Sequence, residues 1–207
     1  MPASAGSGVE ALRVAREVLD KLGLTIPRPS RIAIHVLVRS LRSQALVRRK
    51  GVDFLRSLPP VSDPLMNRAY DLLHLLGEVA TLTGSNDLHA FAAAEVVHLS
   101  LKQGAGIFFA TQVIVNAGQC AVFDNHEMAA RLHQISISLT SDKATPSRGT
   151  IEARIISNVF ISHWTQPETT CLEAALKLKD FVMGSCLVDE LFYVRAVLIA
   201  DGTQPAW

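Results

Sequence analysis

Asp71-Leu72-Leu73-His74 and Glu95-Val96-Val97-His98 each set a carboxylate three residues ahead of an imidazole, a spacing that puts both side chains on one face of a helix. Two such pairs on adjacent helices match the ligand pattern of carboxylate-bridged di-metal bundles, so Asp71, His74, Glu95 and His98 are the sharpest metal-enzyme candidates. That chemistry needs every ligand to point inward and two further glutamates, for which Glu78, Glu127 and Glu152 are at hand. Asp71 and His74 fall off the apolar stripe Leu65, Ala69, Leu72 and Leu76, which directs them to water and leaves His98 as a partly buried ring. The expectation is therefore no metal, no cofactor and no catalytic residue. His126-Glu127 opens like a zinc-protease motif, but Ala130 stands where the second imidazole is required. Gly104-Ala105-Gly106 lacks a third glycine, a preceding strand and a Gly-Lys-Ser ending, so it reads as a helix junction and not a phosphate loop.

The segment 28–56 carries Arg28, Arg31, Arg39, Arg42, Arg48, Arg49, Lys50 and Arg56 against the single acid Asp53, a pattern that phosphates would attract. No aromatic interleaves with these cations before Phe54, so bases have no stacking platform. Arg48 to Lys50 instead complement a helix C-terminus, with Gly51 as its cap. A nucleic-acid module is thus a lesser alternative. His163-Trp164 beside Pro167, with Arg48 and Arg49, are the candidate partner-binding residues, although an aromatic at a helix end more often packs internally.

Positioning these groups falls to a chain of 207 residues, 49% hydrophobic and 19% charged, which is enough apolar material for one sizeable core or one continuous solenoid. With 20 Lys+Arg against 19 Asp+Glu, no global field draws it to nucleic acid or acidic lipid. The mean hydropathy of +0.26 is high, yet the longest apolar stretch, Ala105 to Ala117, is interrupted by Thr111, Gln112 and Asn116 and is too short to span a bilayer. Buried helices, or a surface covered by a neighbouring domain, account for the excess. The N-terminus lacks a basic region followed by an apolar one, and Cys120, Cys171 and Cys186 are an odd number without metal-ligand spacing. Reduced thiols in a cytoplasmic protein are expected.

Helical periodicity with Gly, Pro, Ser and Asp punctuation divides the chain into about nine helices. Ser7-Gly8-Val9-Glu10 is a capping box for the first, with Leu12, Ala15, Leu19 and Leu22 inward. The second runs from Ser30 to Lys50 with Ile34, Leu37, Val38, Leu41 and Ala45 as its inner face. Ser62-Asp63-Pro64 starts the third, whose stripe is Leu65, Ala69, Leu72, Leu76 and Ala80. Others are expected over Asp87–Lys102, Gly106–Val122, from a cap at Asp124 or Asn125, and over Thr150–Trp164, Pro167–Met183 and Leu187–Ala200. The fold class is all-α: antiparallel hairpins stacked as a tetratricopeptide-like, right-handed array. Residues 1–7 are expected to be disordered, 8–200 to form the repeat domain with a break at 140–149, and 201–207 to be a flexible C-terminus and truncation point.

Lys21-Leu22-Gly23-Leu24-Thr25-Ile26-Pro27, then Leu55-Arg56-Ser57-Leu58-Pro59 with Ser62-Asp63-Pro64, then Leu99-Ser100-Leu101-Lys102-Gln103-Gly104 occur in order along the chain. After them comes Arg154-Ile155-Ile156-Ser157-Asn158-Val159-Phe160-Ile161-Ser162-His163-Trp164-Thr165-Gln166-Pro167. Together, from Val9 to Val197, they resemble the helical-repeat segment of large signalling proteins that join an AAA- or STAND-type predicted ATPase to serine/threonine kinase-like and histidine kinase domains. Family members often show a Gly-Asp pair after the Pro167 helix, where this chain has Gly184-Ser185 and an acid only at Asp189. The resemblance implies a cytoplasmic, non-catalytic scaffold or relay whose partners are proteins or adjacent ATPase and kinase domains, with no nucleic acid and no membrane span.

Overall fold

The computed structural model describes residues 3–141 and 147–157, together with Glu173 and Leu176. It is all-α over these residues, with eight helices and no strand. They are α1 (Ala3–Lys21), α2 (Pro29–Lys50), α3 (Val52–Arg56), α4 (Pro64–Leu82), α5 (Asn86–Gln103), α6 (Phe109–Val122), α7 (His126–Ser141) and α8 (Arg148–Ile156). None is long and apolar enough to cross a membrane. The chain divides into two compact units, residues 1–112 and 113–207, and the division falls inside α6. The break expected over 140–149 falls between α7 and α8, and its residues 142–146 lie outside the described residues.

Start and stop signals set most boundaries in the first unit. Asp63 accepts a hydrogen bond from the backbone N–H of Leu65 at 2.9 Å, and Pro64 supplies the first helical φ of α4, as the sequence predicts. Glycines with positive φ end α2 and α5 at Gly51 (81°) and Gly104 (103°). At the N-terminus the expectation fails: α1 begins at Ala3, so Ser7 lies within the helix and not at its cap. Glu10 pairs with Arg13 instead. The five-residue α3 was not foreseen, being too short to show a period.

Helix α5 is the centre of this unit. It packs against α4 on one side and α2 on another, while α1 lies along α4. Every residue from Phe91 to His98 is buried, a run that no amphipathic stripe would produce and that marks a helix enclosed on nearly all sides. The small side chains of Ala92, Ala93 and Ala94 let the neighbouring backbones approach. The core joins Ala15 and Leu19 of α1, Ile32 and Val36 of α2, Tyr70, Leu73 and Leu76 of α4, and Phe91 and Val96 of α5. Contacts between α2 and α5 rise together in number: His35 meets Phe91 and Glu95, Arg39 meets Glu95, and Arg39 and Arg42 act on His98. These two helices therefore run parallel.

Two stripes differ from the sequence reading. On α4 the buried face is wider than the Leu65 stripe, taking in Tyr70, Leu73, His74 and Gly77, while Leu65 itself is exposed. On α2 the expected inner face is the outer one. Ile32, Val36, Ser43 and Val47 are buried, whereas Ile34, Leu37, Val38 and Leu41 are 64%, 55%, 40% and 54% exposed.

The Gly104 junction holds its helices by close backbone contact. Ala105 donates to the Pro59 carbonyl at 2.8 Å, Val61 donates to the Ala105 carbonyl at 3.1 Å, and the Tyr70 hydroxyl donates to the Gly104 carbonyl at 3.1 Å. A Cβ on Gly106 would lie 2.5 Å from Tyr70 Cδ2, which accounts for the second glycine.

In the second unit α7 packs on α8. Asn125 accepts from the Met128 N–H at 3.3 Å at the start of α7, one of the two caps expected there. Met128, Leu132 and Ile135 of α7 and Ile151, Ala153 and Ile155 of α8 are buried, and Arg154 donates to the Thr140 carbonyl at 2.6 Å. Ser147 caps α8. The helices expected over Pro167–Met183, apart from Glu173 and Leu176, and over Leu187–Ala200 lie outside the described residues.

Candidate functional site

The most chemically loaded place in the first unit is the seam between α2 and α5. Glu95 is 4% exposed, far from the surface position its single charge suggests, and Arg39 grips it as a fork: Nε donates to Oε2 at 2.9 Å and Nη2 to Oε1 at 3.1 Å. His35 Nε2 lies 2.9 Å from the same Oε2. A carboxylate so engaged is matched in charge and geometry and has little left to offer a metal or a proton.

His98 sits one turn further along α5. It is buried, and among the described residues its Nε2 has no hydrogen-bond partner. Burial lowers its pKa to about 4, helped by the cations Arg39, Lys102 and Arg42, with Glu95 pulling the other way. The ring is therefore neutral at pH 7. The partly buried position foreseen for it becomes a fully buried one.

His74 corrects the sequence reading more sharply. It does not face water: it is buried, stacks on Phe108 with ring centroids 3.7 Å apart, and its Nδ1 lies 3.0 Å from Gln112 Nε2. Its stacking partner is 34 residues away, so local periodicity could not place it. Asp71 is exposed, as expected. Glu95 and His98 thus face α2 while His74 faces Phe108. Among the described residues, no trio of His, Cys, Asp or Glu ligand atoms within 4.8 Å of one another includes Asp71, Glu95 or His98. The four residues of the paired carboxylate-x-x-histidine pattern, the lesser alternative in the sequence, are therefore not brought together as ligands of one ion.

The second unit holds a pair that sequence reasoning missed. His133 Nε2 and Ser157 Oγ are 2.7 Å apart, the contact of a nucleophile and its base, and burial lowers the His133 pKa. Ser157 is 0% exposed, however, and no carboxylate orients the imidazole among the described residues. A serine closed off from solvent cannot attack a substrate, so the pair joins α7 to the end of α8.

Of the partner-binding candidates, Arg48 and Arg49 are exposed in the last turn of α2, next to Lys50, whose ammonium lies 4.1 Å from the Phe54 ring centroid. His163 and Trp164 lie outside the described residues. What the sequence concealed is the outer face of α2. Ile34, Leu37, Val38, Leu41 and Ala45 form an exposed stripe nearly opposite the buried one, and Arg31, Arg42 and Arg49, about three and about two turns apart, line one of its sides. None of these three arginines has an ion-pair partner among the described residues. No protein-family model, curated protein or solved structure matches the chain.

Proposed function

We propose that this chain is a non-catalytic helical scaffold or relay segment that makes protein–protein or interdomain contacts in a signal-transduction ATPase or kinase. In this reading α1 with α2 and α4 with α5 are successive units of a tetratricopeptide-like stack, although only α4 and α5 pack directly on each other as a hairpin. Its support is the pairing of first helix with first (α1 with α4) and second with second (α2 with α5), the latter in parallel.

One observation carries the functional reading: α2 is apolar on two opposite sides, and only one of them is covered within its unit. A stack exposes such a face where another helix is meant to lie. The signalling context comes from the sequence resemblance and is tested by the flanking genomic sequence. A reading frame that continues into ATPase and kinase modules supports the relay; stop codons on both sides remove the interdomain version. The rival reading as a metal-dependent enzyme is tested by metal analysis of the purified protein beside Glu95→Ala and His98→Ala. Stoichiometric iron or manganese lost in both variants would reject the scaffold.

A further inference from the structure

We infer that the outer stripe of α2 binds one amphipathic helix of a partner protein, a helix whose apolar ridge is bordered on one side by aspartate or glutamate. The inference rests on the scaffold reading and specifies its partner. Ile34, Leu37, Val38, Leu41 and Ala45 stand at i, i+3, i+4, i+7 and i+11, the ridge that helices use to pack on helices. They are aliphatic, and α2 contains no Phe, Tyr or Trp.

Charge selects among the occupants. Helix α2 carries no acid, and Arg39, the one of its arginines held by a carboxylate among the described residues, is turned toward α5. Arg31, Arg42 and Arg49 border the stripe on one side, Ala33, Ser40 and Gln44 on the other are uncharged, and Arg48 stands at the C-terminal end of the ridge itself. A helix laid along the stripe meets a cationic flank and a neutral one, so an acidic row on the matching side completes it. A second copy packed antiparallel would set Arg42 against the arginine row of its mate, a repulsive arrangement. A planar anionic membrane would call for Trp, Tyr or Phe to anchor at the interface, and α2 has none of these.

The test uses the full chain and two fluorescently labelled helical peptides that share one leucine ridge, one with a flanking glutamate row and one with lysines in its place. Fluorescence anisotropy is expected to show the glutamate peptide binding at least about tenfold tighter. Leu37→Glu or Leu41→Glu should abolish binding without lowering the melting temperature, because both side chains point outward. The double change Arg31→Glu/Arg42→Glu should reverse the preference toward the lysine peptide. Equal binding of the two peptides, or binding that survives Leu37→Glu, overturns the inference. So does dimerisation in analytical ultracentrifugation that Leu41→Glu abolishes, or co-sedimentation with phosphatidylserine vesicles that Leu37→Glu abolishes. Failure of the scaffold reading would show separately, as bound metal that depends on Glu95 and His98.

Discussion

His98 predicts a specific acid lability. In the unfolded chain its imidazole takes a proton near pH 6.5, whereas in the folded protein the proton is held off until about pH 4. Between those values the unfolded state binds more protons, so stability is fully present above about pH 6.5 and falls as the pH drops through the window. The complete shift corresponds to about 3.4 kcal/mol, and the share already lost at pH 5 is about 2 kcal/mol. His98→Leu removes the titration and suits a buried site whose Nε2 has no partner among the described residues. Urea unfolding of both proteins at pH 7.5 and pH 5.0 isolates the effect, since the two chains differ only at residue 98. The wild type should lose about 2 kcal/mol more than His98→Leu on acidification, a midpoint difference of about 1 M urea. Equal losses would refute the account of His98 as a neutral ring held among cations.

The Arg39–Glu95 fork predicts non-additivity. Glu95→Ala leaves a guanidinium that is 23% exposed and can turn partly to water, so the cost is about 2–3 kcal/mol, short of a fully enclosed charge. Arg39→Met combined with Glu95→Met should recover much of that loss; strictly additive losses in chemical denaturation would contradict the pairing. The glycines should behave oppositely. Gly106→Ala, whose Cβ meets Tyr70, is expected to lower stability by about 1–3 kcal/mol, while Gly77→Ala, with its nearest neighbour 3.6 Å away inside α4, should be neutral or gain up to about 1 kcal/mol in thermal unfolding.

Helix existence and limits were legible because they are written locally: Asp63-Pro64, Asn125, Gly51 and Gly104 act within a turn of where they stand. The facing of α2 was not. Ile34, Leu37, Val38 and Leu41 repeat with the same period as Ile32, Val36 and Val47, and periodicity alone cannot say which stripe finds a neighbour. The buried stripe also contains Ser43, with His35 and Arg39 on its border, so the more apolar side pointed the reading outward. The burial of Glu95 is not legible locally because its counter-ion lies 56 residues earlier in the chain. His74 depended likewise on Phe108. These pairings are settled by how helices dock, and no sequence window contains both partners.

The parallel course of α2 and α5 aligns their peptide dipoles, so their carbonyl ends emerge on the same side and repel each other. Arg48, Arg49 and Lys50 close one helix and Lys102 the other, placing cations where the two negative poles converge. The basic cluster that resembles a phosphate-binding signal thus has work inside the fold. Reversing its charge would loosen the join between α2 and α5 before it touched any ligand.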